Sequence, residues 1–326
     1  MSIDVLCLRP EADFKRVGAL PPESLKIAYR APSDEDVAER MKEVRVLVIP
    51  AVGPTLPNAL FENTSVKFVQ VTGAGLDRLD VEFLRERSIA VANVPGGSNE
   101  SVAEYAVTTA TVLLRGLFWA DTEIRRGNYR EFRARMIADN LQGLDGLTVG
   151  IVGFGVTGVA VAAAFQKRGC LIFYHDPAPR DPRTAEAVGA KPCGLEDLFQ
   201  LADVVTLHVP LLPQTTGMIG RRELAMMKDG AILIQGSRGG VVDEAGLAEA
   251  LQSGKLGGAA VDVYSTEPPA ADNPLLALKG EAAHRILFTP HVAGVTRQSA
   301  AYLFRTAWRN VERAMGGKEA PLYVVT

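Results

Sequence analysis

Residues 148–176, TVGIVGFGVTGVAVAAAFQKRGCLIFYHD, constrain the fold of this chain more than any other stretch. An apolar run predicts a buried strand, and Gly153, Gly155 and Gly158 then follow the spacing G-x-G-x-x-G into an apolar helix. The first glycine permits a tight turn, the second lets a phosphate approach the backbone, and the third lets the helix pack closely on the strand. The helix N-terminus offers unpaired N–H groups to the phosphates. These features predict a phosphate-binding turn.

An acidic residue ends the second strand of this stretch, which we place at 171–174. Asp176 stands where a carboxylate accepts the hydroxyls of a ribose. The stretch therefore predicts a dinucleotide-binding βαβ unit, with a purely structural βαβ turn as the alternative. Asp176 would repel a 2′-phosphate, and Pro177 offers no compensating cation. Arg180 is interpreted as a surface charge, so the sequence favours NAD over NADP.

Composition narrows the class of protein. A chain of 326 residues that is 47% hydrophobic and 22% charged predicts two globular domains. The net charge of −3 gives no sign of a nucleic-acid partner or an anionic membrane. Cys7, Cys170 and Cys193 are widely spaced, which indicates reduced thiols and no metal site. No signal peptide and no apolar run of ~20 residues is evident, so we expect a cytoplasmic protein that binds no membrane.

The first 98 residues alternate short apolar runs with segments of helical pattern, which predicts a small α/β domain. The expected strands are 5–8, 44–49, 66–71 and 89–92, and the expected helices are 34–42 and 81–86. The turn that contains Gly73, Ala74 and Gly75 follows one of these strands and leaves backbone N–H groups free to face an anion. A plain tight turn is the alternative. A Pro/Gly-rich segment, 93–98, is interpreted as a hinge.

A long apolar stretch, 99–127, predicts a helix that leads from the first domain into the second and is buried against another subunit. The Arg-rich and aromatic segment 128–140 that follows is either a dimer arm or a solvated loop. The final segment 296–315 has the pattern of an amphipathic helix that returns to the first domain, and 322–325 is expected to be a short strand. The predicted domains are therefore 1–98 completed by 295–326, and 99–294.

From residue 148 onward, strands and helices alternate regularly, which predicts a doubly wound parallel sheet with ligands at the carboxyl ends of its strands. The first domain is expected to be a smaller, flavodoxin-like α/β domain. The predicted strands are 148–152, 171–174, 203–207, 231–234, 258–262 and 286–288, and the predicted helices are 157–168, 195–201, 221–227 and 243–252.

Candidate catalytic residues follow three of these strands. Arg238 follows one strand, Asp262 and Glu267 follow the next, and His291 follows the last. Each residue alone is more commonly a surface charge or a packed side chain. Because the ends of parallel strands meet at one edge, we expect Arg238, Glu267 and His291 to converge there with the nicotinamide end of the cofactor.

The chemistry of hydride transfer to a ketone assigns a role to each of these residues. Negative charge develops on the carbonyl oxygen, so a proton donor must lie beside it, and His291 suits that role. Glu267 is the natural partner that orients the imidazole and favours its charged form. Arg238 can grip a substrate carboxylate and polarise the carbonyl, with the turn at Ala74 and Gly75 as a second donor. Asp262 is placed to hold the nicotinamide end of the cofactor.

These motifs resemble those of the D-isomer-specific 2-hydroxyacid dehydrogenases, over essentially the whole chain. The similar segments are VTGAGLD, NVPGGSNESVAEYAV, GIVGFGVTGVAVA, LHVPLLPQTTGMIG, GSRGGVVDEAGLAEAL, AAVDVYSTEP and FTPHVAG. The resemblance implies that the catalytic set is Arg238, Glu267 and His291, that the cofactor is NAD, and that the protein is a homodimer joined through its nucleotide-binding domain. The cofactor contacts that it implies are Val156, Thr157, Asp176, Pro210, Thr215, Gly236, Asp262 and Gly294, beside Gly153, Gly155 and Gly158.

The resemblance also has one departure. Gln235-Gly236 stands where the family usually has Asn and a small or polar residue, and we expect altered local packing without loss of Arg238. Glu267 disfavours formate dehydrogenase activity, because those relatives carry Gln there, and the long regulatory extension of some phosphoglycerate dehydrogenases is absent from this sequence. The substrate itself stays open, as does a contact between substrate and Arg297.

A competing hypothesis is an NAD-sensing interaction protein. Some transcriptional corepressors resemble this fold and keep the same three catalytic residues. The sequence has no long disordered tail with interaction motifs, which favours the enzyme that reduces a 2-oxo acid to the D-2-hydroxy acid.

Overall fold

The chain divides into two compact units in the computed structural model, which describes residues 3–316 and 319–326. The first unit comprises Met1–Ser98 and Val295–Thr326, and the second comprises Asn99–Gly294. Met1 and Ser2, which belong to the N-terminal stretch inspected above for a signal peptide, lie outside the described residues. Each unit has its own hydrophobic core and its own parallel sheet.

The strands and helices are numbered in chain order. The strands are β1 (Val5–Cys7), β2 (Ile27–Tyr29), β3 (Val46–Ile49), β4 (Phe68–Val71), β5 (Ala90–Ala92), β6 (Thr148–Val152), β7 (Leu171–His175), β8 (Ala190–Pro192), β9 (Val204–Leu207), β10 (Ala231–Gln235), β11 (Leu256–Val261) and β12 (Ile286–Phe288). The helices are α1 (Glu11–Arg16), α2 (Val37–Met41), α3 (Val81–Glu86), α4 (Asn99–Leu114), α5 (Leu117–Arg125), α6 (Tyr129–Ala138), α7 (Val156–Gln166), α8 (Pro182–Ala187), α9 (Leu195–Leu201), α10 (Arg221–Met226), α11 (Glu244–Gln252) and α12 (Arg297–Ala314), with single 3₁₀ turns at Asn58–Phe61 and Gly280–His284.

The first unit is built on a five-stranded parallel sheet in the order β2-β1-β3-β4-β5. Its central strands are buried throughout, as expected for a parallel sheet covered on both faces. Helix α12 covers one face through Phe304, Trp308 and Val311, which pack with Phe14 of α1. This strand order is the flavodoxin-like one, so the predicted fold class of this domain is confirmed.

The second unit contains a seven-stranded parallel sheet in the order β12-β11-β10-β9-β6-β7-β8. Counted within the unit, this is the doubly wound order 3-2-1-4-5-6 with one further strand, so the predicted nucleotide-binding fold is confirmed. The order reverses between β6 and β9, which places the glycine turn after β6 at the switch point. Helix α4 packs on α7 and on the sheet through Ala103, Ala106 and Ala110.

Three predictions about local structure are wrong. The stretch 99–127 is two helices, because Gly116 adopts a left-handed conformation (φ 54°) between α4 and α5. The segment 128–140 contains the helix α6, of which only Phe132 is buried, so the alternative of a solvated loop is wrong, whereas that of a dimer arm stays a prediction. The segment 322–325 is not a strand, since its one bridge pairs Val324 with Ala92.

Among the described residues, no helix has both the length and the apolar character that crossing a membrane requires. The three cysteines are free thiols, and burial raises the pKa of Cys170 to about 11. The described residues also include no cluster of His, Cys, Asp and Glu suited to a metal ion.

Candidate active site

The turn between β6 and α7 has the geometry of a phosphate cradle. Gly153 has φ 93°, and a Cβ there would lie 2.5 Å from the carbonyl oxygen of His208. A Cβ on Gly158 would lie 2.1 Å from the carbonyl oxygen of Gly153. A Cβ on Gly155, in contrast, would meet no atom within 4 Å, so the space above this residue is open. Gly153 and Gly158 are therefore required for packing, and Gly155 leaves the helix N-terminus accessible to an anion.

Asp176 is already oriented in this turn. Its carboxylate accepts hydrogen bonds from the backbone N–H of Phe154 (2.7 Å) and of Ala178 (2.9 Å), and from Arg180 Nη2 (2.6 Å). Burial opposes ionisation, but these hydrogen bonds outweigh it and lower the pKa of the Asp176 carboxyl group. Arg180 is thus an exposed residue that also forms an ion pair with Asp176.

This arrangement fits a dinucleotide. The open space above Gly155 suits a pyrophosphate, and a charged carboxylate at the end of β7 suits ribose hydroxyls. Beneath the turn, the rings of Phe154 and Tyr174 stack at 3.8 Å and keep the two strand ends together. The residues present are therefore those that such a cofactor needs.

His291 and Glu267 form a hydrogen-bonded pair after β12 and β11. His291 Nδ1 lies 2.8 Å from Glu267 Oε2, and about a quarter of the His291 side chain is exposed. Glu267 Oε1 accepts a hydrogen bond from the backbone N–H of Tyr264, which fixes the carboxylate. His291 has φ 56°, a conformation that few residues with a side chain adopt and that is concentrated at functional sites. The imidazole is held by one nitrogen and leaves Nε2 for a substrate.

Asp262 holds the loop that carries His291. It is buried (1% exposed), and its Oδ1 accepts hydrogen bonds from Thr289 Oγ1 (2.6 Å) and Val292 N–H (2.8 Å). Its Oδ2 accepts one from Ala293 N–H (2.8 Å). The backbone carbonyl of Asp262 also accepts the N–H of His291. One carboxylate therefore sets the path of residues 289–293.

We expect the substitution Asp262→Ala to lower the free energy of unfolding by about 3 kcal/mol, because three buried donors lose their acceptor. Asp262→Asn keeps one acceptor oxygen and should lose less. Urea unfolding followed by circular dichroism measures both values. An Asp262→Ala variant as stable as the parent protein would show that water replaces the carboxylate and that the loop does not depend on it.

Arg238 follows β10 in a turn that Gln235 supports. The Gln235 amide donates to the carbonyl of Arg238 (2.9 Å), and its oxygen accepts from Ser237 Oγ (2.8 Å). A Cβ on Gly239 would lie 1.7 Å from the carbonyl oxygen of Tyr264, so this turn directly abuts the loop after β11. Gln235, which stands where the family usually has Asn, thus stabilises the turn through two hydrogen bonds, and Arg238 keeps its position after β10.

A second histidine lies at the same edge of the sheet. His208 follows β9, and its Nε2 lies 2.9 Å from Thr206 Oγ1. Burial lowers the pKa of His208 to about 4. This imidazole is therefore neutral at physiological pH and does not compete with His291 as a proton donor.

The remaining predicted cofactor residues occupy loops of the same unit. Thr215 Oγ1 donates to the carbonyl of Pro210 (2.6 Å) and accepts from Leu212 N–H, so the two residues close one loop after β9. Val156 is 64% exposed at the start of α7, and Thr157 Oγ1 donates to Asn99 (2.9 Å). Gly236 and Gly294 are half-buried beside the Arg238 and His291 loops.

Ala74 and Gly75 belong to the first unit, after β4. Asn93 Nδ2 donates to the carbonyl of Ala74 (2.7 Å), and Val94 N–H donates to the carbonyl of Gly73 (2.8 Å). Within the described part of the chain, the N–H groups of residues 73–75 make no hydrogen bond. The predicted anion-binding donors are thus present in this turn.

Sequence reasoning missed the residues that act through others. Tyr105, on α4, has its hydroxyl 2.8 Å from Thr289 Oγ1, which in turn donates to Asp262. Gln235, which supports the turn of Arg238 by two hydrogen bonds, is the second such residue. A buried Gln at a strand end was a usable signal, whereas nothing in the sequence pairs Tyr105 with a threonine far along the chain.

The fold and the glycine turn define a dinucleotide-binding protein of the doubly wound class. Residues 107–293 match the model of the NAD-binding domain of D-isomer-specific 2-hydroxyacid dehydrogenases. The chain therefore belongs to this family, and its cofactor is NAD.

The chain is similar to several named dehydrogenases and reductases. The chain is 38% identical to an (S)-sulfolactate dehydrogenase from Chromohalobacter salexigens over 75% of this chain and 76% of that one. It is 32% identical to a hydroxypyruvate reductase from Blautia hydrogenotrophica over 99% and 98% of the two chains. A D-lactate dehydrogenase from Aquifex aeolicus, solved with NAD and lactic acid, aligns with a TM-score of 0.79 and 26% identity over 95% of both chains. The chain spans about half the length of other curated relatives, such as the D-3-phosphoglycerate dehydrogenase from Archaeoglobus fulgidus (49%).

Proposed function

We propose that the protein is an enzyme that reduces a 2-oxo acid to the D-2-hydroxy acid with NADH, and catalyses the reverse reaction. The observation that carries this proposal is the 2.8 Å hydrogen bond between His291 and Glu267 at the sheet edge where Arg238 also lies. Strands β10, β11 and β12 are neighbours, so the loops that carry the three residues start side by side. A carboxylate-backed imidazole and a guanidinium are the groups that this reduction requires.

When bound, NADH would supply the hydride for the reduction, and NAD⁺ would accept it in the reverse reaction. His291 donates a proton from Nε2 to the carbonyl oxygen as negative charge develops there, and takes the proton back in the reverse direction. Glu267 stabilises the positive charge that the imidazole carries before it gives up the proton, and holds the ring by Nδ1. The proposed pair thus combines an acid/base with its orienting group.

Arg238 is proposed to bind the substrate carboxylate and to polarise the adjacent carbonyl. A guanidinium presents parallel donors that match a carboxylate, and a fixed cation stabilises a developing oxyanion. The turn at Ala74 and Gly75 is proposed to add N–H donors to the same carboxylate, because those groups have no hydrogen-bond acceptor among the described residues. Asp262 is proposed to serve the nicotinamide end of the cofactor mainly by setting the 289–293 loop.

The test is a panel of 2-oxo acids with NADH, followed at 340 nm, with the configuration of the product determined by chiral chromatography. Formation of the D-hydroxy acid supports the proposal, and formation of the L-isomer contradicts it. The second hypothesis, an NAD-sensing interaction protein, is supported only if none of the 2-oxo acids in the panel is reduced. The names of the relatives, which are dehydrogenases and reductases, favour the enzyme.

The preference for NAD over NADP is proposed to depend on Asp176. Removing this carboxylate in Asp176→Ala frees Arg180 to meet a 2′-phosphate, so the ratio of kcat/KM for NADPH to that for NADH should rise on the order of 100-fold. The double variant Asp176→Ala/Arg180→Ala is the matched control and should lose the gain with NADPH. A parent enzyme that already prefers NADPH would contradict the assignment.

The proposed assembly is a homodimer joined through the second unit. Leu117, Ile124 and Ile137 are 45–62% exposed in α5 and α6, and apolar side chains exposed in one region are typical of an interface. The cytoplasm is the proposed location, because three unpaired cysteines are typical of a reducing compartment.

A further inference from the structure

The strand order of the first unit indicates where a ligand would bind to it. In an open parallel sheet, ligands bind outside the carboxyl ends of the strands, at the point where the strand order reverses. In the five-stranded sheet, this point lies between β1 and β3. The segments that follow its strands are 8–10, 30–36, 50–57, 72–80 and 93–98, and the proposed anion-binding turn belongs to the fourth of them.

These five segments contain three cationic side chains, Arg9, Arg30 and Arg78. Arg9 forms an ion pair with Asp13 (3.0 Å) and lies over the ring of Phe304. Arg30 Nε bonds to both carboxylate oxygens of Asp36 (2.9 and 3.0 Å). Each of these two arginines is therefore engaged by a carboxylate, which Asp13 shares with Arg16 and Asp36 shares with Arg40.

Arg78 is withdrawn from the surface. It is 3% exposed, its Nε donates to the carbonyl of Pro54 (2.8 Å), and its Nη1 donates to the carbonyl of Pro50 (3.1 Å). Its own carbonyl accepts the N–H of Leu56. A Cβ on Gly53 would lie 3.3 Å from Arg78 Cζ, so the loop rests directly on the guanidinium. Arg78 therefore positions the loop 50–56, and its guanidinium, whose Nη2 has no hydrogen-bond partner among the described residues, is buried away from a ligand.

Several of the side chains that these loops present are aliphatic, and they lie in the same loops as the exposed polar residues Thr55 and Asp77. Val52 is 50% exposed, Ala74 is exposed, and Ala51 and Leu76 are half-buried. The two loops touch, because a Cβ on Gly73 would lie 2.7 Å from the Cβ of Ala51. The crevice wall thus consists of backbone donors at 73–75 beside small apolar side chains.

Arg297 does not add to the cationic side chains of these five segments. It lines, with Arg305 and Arg309, a groove of about 680 Å³ along α12, and none of the residues lining that groove comes from the five segments. The sequence left open whether Arg297 reaches a second anionic group of a substrate, and its place on this groove gives such a contact no support.

We propose that the substrate is a 2-oxo acid whose side chain carries no charge, selected by the aliphatic wall at 51–52, 74 and 76 that Arg78 holds in place. This inference rests on the proposed function and narrows it. A phosphate, sulfonate or second carboxylate on the side chain would lose its hydration without gaining a cation from this unit. An aliphatic or hydroxymethyl side chain loses little on entering the same space.

The first test compares two matched substrate pairs with NADH. Hydroxypyruvate and 3-phosphohydroxypyruvate differ by one phosphate. The side chains of 4-methyl-2-oxopentanoate and oxaloacetate have similar shapes, but only that of oxaloacetate is charged. The uncharged member of each pair should have the higher kcat/KM, by at least about tenfold. Equal values or a preference for the charged member would overturn the proposal. No turnover of any of the four, with reduction of another 2-oxo acid in the panel, would overturn the preference alone, whereas no reduction of any 2-oxo acid would count against the proposed function.

The second test adds the missing charge. Val52→Arg places a guanidinium on the loop, and Val52→Met is the uncharged control of extended length. The ratio of kcat/KM for 3-phosphohydroxypyruvate to that for hydroxypyruvate should rise at least about tenfold in Val52→Arg over Val52→Met. An equal ratio in the two variants would show that this loop does not face the substrate side chain and would overturn the assignment.

Discussion

Replacing His291 by alanine lowers kcat by about 1,000-fold, because the developing alkoxide loses its proton donor. Binding of NADH, measured by the fluorescence of the dihydronicotinamide, should stay within a few-fold of the parent value, since the glycine turn and Asp176 lie in other loops. The substitution also leaves a space next to Glu267. Added imidazole should therefore restore part of the lost rate.

His284 provides a matched control for this experiment. It stacks on Trp119 at 4.8 Å in a 3₁₀ turn before β12, and its replacement by glutamine should leave kcat unchanged. A His291→Ala variant with a rate near that of the parent would rule out the acid/base assignment. An equal loss in His284→Gln would point to general damage to the unit.

Replacing Arg238 by methionine should lower kcat/KM for the 2-oxo acid by about 1,000-fold or more, because both the grip on the carboxylate and the polarisation of the carbonyl disappear. Methionine keeps much of the aliphatic length, so the turn supported by Gln235 should survive. The effect should be seen in both KM and kcat, since the carboxylate is bound in the ground state and the oxyanion develops only in the transition state.

Arg238→Lys separates charge from geometry. Lysine restores the positive charge without the planar pair of donors, so we expect activity between those of the parent and Arg238→Met. The melting temperatures of the three proteins should agree within a few degrees. Activity of Arg238→Met within tenfold of the parent would contradict the proposed role.

The doubly wound sheet could be predicted from the sequence because its strands are apolar runs separated by helices of regular length. The strands β6 and β12 and the helix α9 were predicted with their observed bounds. The edge strands β2 and β8 were missed, because Ile27–Tyr29 is only half-buried and Ala190–Pro192 carries Lys and Pro. Short edge strands take their hydrogen bonds from a neighbour and have little pattern of their own.

Side chains that end strands could be predicted, whereas the contacts between loops could not. Parallel topology alone brings Glu267 and His291 to one edge, where they form a hydrogen bond. The commitment of Asp262 to the 289–293 loop depends on three hydrogen bonds that no spacing reveals. The burial of Arg78 was equally invisible, since an arginine that follows Asp77 in a loop has the pattern of a surface residue.

The division of the chain has a consequence for how such enzymes diversify. The proposed proton-transfer pair and Arg238 lie on one continuous span, Asn99–Gly294, while the unit proposed to sense the side chain is assembled from both chain ends. The residues proposed for catalysis and those proposed for substrate selection therefore lie in different segments of the chain. A chimaera that retains Asn99–Gly294 and takes both outer segments from a relative should catalyse the same reaction with a different substrate preference.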